Sequence, residues 1–115
     1  MKWSLLISGI IEVIGGLIVF FAPYFIYEFE GLYHIAFKLY GFTMFILGII
    51  NVFAYFAYQV NKFFKQIFLS MMGFHGALAM LCYSAPEFQF PLHIQGAITH
   101  GVIFSIFLTA YLKEN

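Results

Sequence analysis

The stretch Phe63–Tyr83, FFKQIFLSMMGFHGALAMLCY, constrains this chain more than any other. It is about twenty residues of nearly unbroken apolar sequence, the length that spans a bilayer, and it carries His75 close to its middle. A titratable group at that depth is costly and needs a reason. Three more stretches share this character, so the sequence predicts four spanning helices at about residues 3–21, 36–58, 63–83 and 92–112.

Composition removes the soluble alternative. Of 115 residues, 63% are hydrophobic and 9% charged, with 17 Phe and neither Asp nor Arg. A soluble domain this small could not hide so much apolar surface, whereas lipid can take it. The formal net charge is zero, so there is no basic patch to neutralise phosphates and no indication of nucleic-acid binding. Cys82 is alone, which excludes an internal disulfide and a cysteine-based zinc site. No Gly-rich phosphate loop, nucleophile elbow or cysteine pair occurs, and nothing singles out a catalytic residue. Met1-Lys2 before an apolar run is also how a signal peptide begins. Ala22-Pro23 is a poor cleavage context, however, so a retained first helix is expected.

The predicted helices carry stripes of small residues, which transmembrane helices place against one another. On the first, Ser8, Glu12, Gly15 and Gly16 share a face, which directs Glu12 toward other helices and away from lipid. On the second, Gly41, Met44, Gly48, Asn51 and Tyr55 form the stripe. On the fourth, Ala97, Gly101, Ser105 and Thr109 recur at four-residue spacing beside His100. Residues 24–37, YFIYEFEGLYHIAF, mix aromatics with Glu28, Glu30 and His34, the composition of a short interfacial segment.

Lysines set the expected orientation. With four spans, one side holds Lys2, Lys62, Lys65 and Lys113; the other holds Lys38 with Glu28, Glu30 and Glu87. That asymmetry predicts both termini in the cytoplasm. At about 1.5 Å rise per residue, Glu12 falls near the middle of its helix. His75 and His100 share a level roughly 3 Å outside the midplane, with Asn51 about one turn deeper. The expectation is a buried Glu12/His75/His100 cluster, with Asn51 near it, able to bind a small ligand, a metal, or the polar end of a haem, quinone or lipid. A purely structural role, in which these groups hydrogen-bond one another and hold helix register, uses the same residues.

Phe21-Ala22-Pro23 closes the first helix, Lys38-Leu39-Tyr40-Gly41 opens the second, Gly48-Ile49-Ile50-Asn51 lies within it, Gly73-Phe74-His75 in the third, and His100 in the fourth. These short motifs are similar to those of DoxX-like proteins, small bacterial four-helix membrane proteins. The resemblance covers nearly the whole chain. It implies one all-α four-helix bundle in a bacterial inner (cytoplasmic) membrane, in a family some of whose members are tied to respiratory or redox functions. It brings no catalytic residue with it.

The sequence therefore predicts an integral membrane four-helix bundle forming a single domain, with the bilayer as partner and a ligand, cofactor or metal at its buried Glu/His cluster. Two other roles are open: a pore or permeability factor lined by Asn51, Thr43 or the helix 4 ladder, and an accessory subunit of a homo-oligomer or larger membrane complex. Orientation is directly testable. A reporter active only in the cytoplasm should be active when fused after Asn115 and silent when inserted near Gly31; the opposite pattern would invert the placement of both histidines.

Overall fold

The computed structural model describes residues 1–58, 62–84 and 91–114, and among these every regular element is helical. The helices are α1, Lys2–Phe21; α2, Gly31–Phe56; α3, Lys62–Ser84; and α4, His93–Glu114. A single 3-10 turn, Pro23–Phe25, lies between the first two. Each of the four helices is long and apolar enough to cross a membrane, as in a multi-pass membrane protein. Glu87 and the first residues of the 59–66 turn lie outside the described residues.

Burial runs opposite to the soluble pattern. Among the described residues Ser4, Ser8, Glu12, Asn51, His75 and His100 are buried, while Ile10, Ile14, Phe53, Met80, Leu81 and Ile98 are exposed. In water that arrangement would leave apolar surface wet and bury polar groups at a cost. In hydrocarbon it satisfies both, because lipid cannot hydrogen-bond and the apolar side chains face their own kind.

The chain divides into two compact units, Lys2–Tyr58 and Gln59–Asn115 with Met1. Each is an antiparallel helical hairpin, α1 packed on α2 and α3 on α4.

The first hairpin is built on glycine. A Cβ at Gly16 would stand 2.5 Å from the backbone nitrogen of Phe45 and 2.6 Å from the carbonyl oxygen of Gly41. One at Gly48 would stand 2.6 Å from the nitrogen of Val13 and 2.7 Å from the carbonyl of Gly9. Gly9 and Gly16 are seven residues apart, as are Gly41 and Gly48, so antiparallel packing matches them in two pairs, two helical turns apart. Gly15 takes a lesser part: a Cβ there would meet only Met44 Cε, at 3.2 Å.

The second hairpin is built on rings. Phe68 and Phe107 are buried with ring centroids 4.9 Å apart, and Phe68 also stacks on Tyr111 at 6.5 Å. A Cβ at Gly76 would lie 3.1 Å from the Phe104 ring. The buried stripe of α4 is His100, Ile103 and Phe107. Beside it, Ala97 and Gly101 are half-buried and Ser105 and Thr109 exposed. Ser105 donates its hydroxyl to the Gly101 carbonyl at 2.8 Å, and a Cβ at Gly101 would meet nothing within 4 Å.

The helix bounds differ most at α2, which starts at Gly31 where the sequence predicts about residue 36. Gly31 has φ +56°, a conformation open to glycine at little steric cost. It lets the chain turn out of extended Glu30 directly into helix, so Tyr33, His34 and Lys38 ride on the first turns of α2. The predicted interfacial segment is thus divided between the 3-10 turn, an extended link and the start of α2.

These contacts rank the glycines. Gly16→Ala and Gly48→Ala must push backbone from backbone and should each cost on the order of 1–3 kcal/mol, as overpacking does. Gly101→Ala should be neutral or stabilising by up to about 1 kcal/mol, since alanine favours helix. Thermal unfolding in one detergent measures all three, and equal losses would refute the ranking.

Candidate functional site

Each hairpin carries one buried polar group. In the first, the Gly9–Gly48 contact brings the helix axes close enough for short side chains to meet across the seam. Asn51 lies one turn along α2 from Gly48, and Ser8 and Glu12 lie one turn apart on α1. The Asn51 amide donates through Nδ2 to Glu12 Oε2 at 2.7 Å and to Ser8 Oγ at 3.3 Å. Ser8 Oγ donates in turn to the Leu5 carbonyl at 3.4 Å. Exposure is 2% at Glu12 and 0% at Asn51 and Ser8, so these bonds form away from solvent and lipid alike. Asn51 Oδ1 is buried without a hydrogen-bond partner among the described residues. It is an acceptor that can take a donor hydroxyl, a water or a cation.

In the second hairpin His75 and His100 are 1% and 4% exposed. Their rings meet edge to edge, with centroids 5.2 Å apart and planes 28° from parallel, and the Nδ1 atoms face each other at 3.0 Å. Two bare imidazole nitrogens would repel at that distance, so one ring carries the Nδ1 proton and the other accepts it. The acceptor ring, when neutral, then bears its own proton on Nε2. Phe107 supports the pair, its ring 6.0 Å from that of His75 and nearly parallel to it. Phe74 meets the edge of His75 at 5.4 Å. These aromatic walls keep water from the imidazoles and hold the rings in register.

Searches of family models, curated proteins and solved structures found no match to this chain.

Of the residues singled out in the sequence, Glu12 and Asn51 meet in the first hairpin, and His75 and His100 meet in the second. Within neither hairpin do the described residues gather three or more His, Cys, Asp or Glu side chains that could hold a metal ion. The imidazole pair supplies two donors, leaving further coordination positions to a bound molecule. Thr43, weighed above as a pore-lining group, is exposed and donates to the Leu39 carbonyl of its own helix at 3.0 Å. Sequence reasoning did not name Ser8 as a member of the polar group or Gly9 as a packing residue. The signals were present: Ser8 is one turn from Glu12, and Gly9 is seven residues from Gly16, matching Gly41 and Gly48.

The Glu12–Asn51 bond should be measurable as coupling. Asn51→Ala removes the amide that donates to Glu12 Oε2 and Ser8 Oγ and should cost about 1–3 kcal/mol, the range for losing a buried hydrogen-bonding group. Combined with Glu12→Gln, the loss should differ from the sum of the single losses by about 0.5–3 kcal/mol, as for residues in contact. Additivity in a double-mutant cycle by detergent melting would show that the contact is energetically silent.

Proposed function

We propose that this protein binds a small ligand, cofactor or metal at its buried Glu/His residues, and that a d-block metal ion held by His75 and His100 is the occupant the chemistry favours. The observation that carries this is the imidazole pair, buried, with Nδ1 atoms 3.0 Å apart. Zinc–imidazole bonds are about 2.0–2.1 Å long. A tetrahedral ion could therefore replace the shared proton if the two nitrogens opened to roughly 3.3 Å. That is a small motion of side chains already converging on one point.

The same geometry disfavours a haem ligated by both residues. Its iron and macrocycle would have to enter between two rings already in hydrogen-bond contact. An ion held by two imidazoles keeps open positions, which suits binding and exchange of a small molecule. The Glu12–Asn51–Ser8 group offers oxygen ligands and an unused amide acceptor, and would serve a hydroxyl-bearing ligand or a hard cation. Membership of the DoxX-like family, residence in a bacterial inner membrane and a four-helix bundle with both termini cytoplasmic belong to the same reading. They rest on the motif resemblance and the lysine asymmetry.

Elemental analysis and zinc or copper titration of the purified full chain in detergent test it. About one equivalent should bind per chain, and His75→Ala and His100→Ala should each weaken binding by about tenfold or more, comparing with the 10–100-fold seen even for outer partners of ligands. Equal metal content in the His75→Ala/His100→Ala double variant, or none in the parent, would discard the metal reading.

A further inference from the structure

A second feature lies along the α1–α2 hairpin. There an apolar groove of about 400 Å³ is lined by Ile10, Val13, Ile14, Ile49, Val52 and Phe53. The glycine contacts explain it. Val13 packs over Gly48 and Val52 over Gly9, each within 3 Å of where a Cβ would be, so the two valines interlock low between the helices. Ile10 and Ile14 on α1 and Phe53 on α2 stand out beside them, 47%, 54% and 69% exposed. A low floor between tall walls makes a channel along the hairpin. Every lining side chain is aliphatic or aromatic, so what fits is a hydrocarbon chain with its polar part elsewhere.

The place for that polar part is at one end. The exposed stripe of α1 continues from Ile14 and Ile10 through Ile7 to Trp3. The Trp3 and Tyr55 rings lie 5.2 Å apart, and Lys2 Nζ sits over the Tyr55 ring at 4.7 Å. Indole, phenol and ammonium together are the groups that meet lipid headgroups. From Ile14 to Trp3 the helix rises about 16 Å. That is roughly one leaflet of a ~30 Å hydrocarbon core, so a chain entering beside Trp3 ends near the midplane at Ile14.

We propose that this face binds one anionic phospholipid, its phosphate against the exposed Lys2 ammonium and one acyl chain passing over exposed Ile7 into the groove at Ile10 and Ile14. The groove is open along one side, so the chain lies between the Ile10 and Ile14 side chains and Phe53 rather than enclosed by them. A cation at the mouth selects anionic over zwitterionic headgroups. This inference is independent of the metal reading, which concerns different residues.

Trp3 is the only tryptophan, so its fluorescence reports on the mouth of the groove. The full chain is reconstituted in phosphatidylcholine vesicles containing either brominated phosphatidylglycerol or brominated phosphatidylcholine at equal mole fraction. Bromine on the acyl chain quenches tryptophan on contact. Brominated phosphatidylglycerol should associate about fivefold more strongly, the factor expected for one lysine near a phosphate. Lys2→Gln should bring the ratio close to one, and Ile49→Phe, which fills the groove, should lower it as well. Lys65→Gln, the same charge loss on α3, should leave it unchanged. Lys2→Gln changes an exposed side chain whose one ring contact is with Tyr55, and decides the matter even if Ile49→Phe fails to fold. A parent ratio near one, a ratio kept in Lys2→Gln, or an equal loss in Lys65→Gln would each overturn the proposal.

Discussion

A bilayer core offers no hydrogen bonds, and a polar side chain sent into it has to find its partner on its own helix or on a neighbouring one. Both hairpins are arranged around that requirement. Glu12 cannot reach the carbonyls of its own helix to donate to them as serine or threonine can. It is met by Asn51, whose amide carries donors where the carboxyl oxygen needs them. His75 has the matching problem and is met by His100, because an imidazole can act as donor on one nitrogen and acceptor on the other.

How close the helices come decides which partner can reach. Asparagine is short, and its contact with Glu12 exists because Gly9 and Gly48 remove the side chains that would hold α1 and α2 apart. The α3–α4 hairpin has no such seam at its polar level. Phe68, Phe104 and Phe107 fill the space between its helices, and the two imidazoles meet there, with the Phe107 ring beside that of His75. Each hairpin thus matches the length of its polar side chains to the size of its packing residues. The same matching leaves a trace outside: valines settle low over the glycine seam, and the larger residues beside them leave a channel.

The two polar groups differ in what they can do. The imidazole pair is a nitrogen donor set with one exchangeable proton between its members, suited to a borderline metal ion or to passing a proton. The Glu12–Asn51–Ser8 chain is an oxygen set with an unused acceptor, suited to harder cations or hydroxyl donors. Neither is what packing alone would call for. An aliphatic pair could fill either position without the desolvation cost of a carboxyl or two imidazoles.

The sequence alone determined where the membrane helices are. The apolar runs are long enough to cross a membrane, and three of the four helices begin and end within a residue or two of where composition changes. It also picked out Glu12, Asn51, His75 and His100, since polar groups inside such runs stand out against their neighbours. The start of α2 was not legible, because a positive φ at Gly31 is a backbone choice that apolar periodicity does not encode. Nor was the pairing: depth can be counted along a helix, but direction around its axis is set by what it packs against. Only the tertiary structure decided that Gly9 faces Gly48, so that Asn51 serves Glu12 and Ser8, and that His75 turns its Nδ1 to His100, because those contacts depend on helix separation and rotation, which the whole interface sets together.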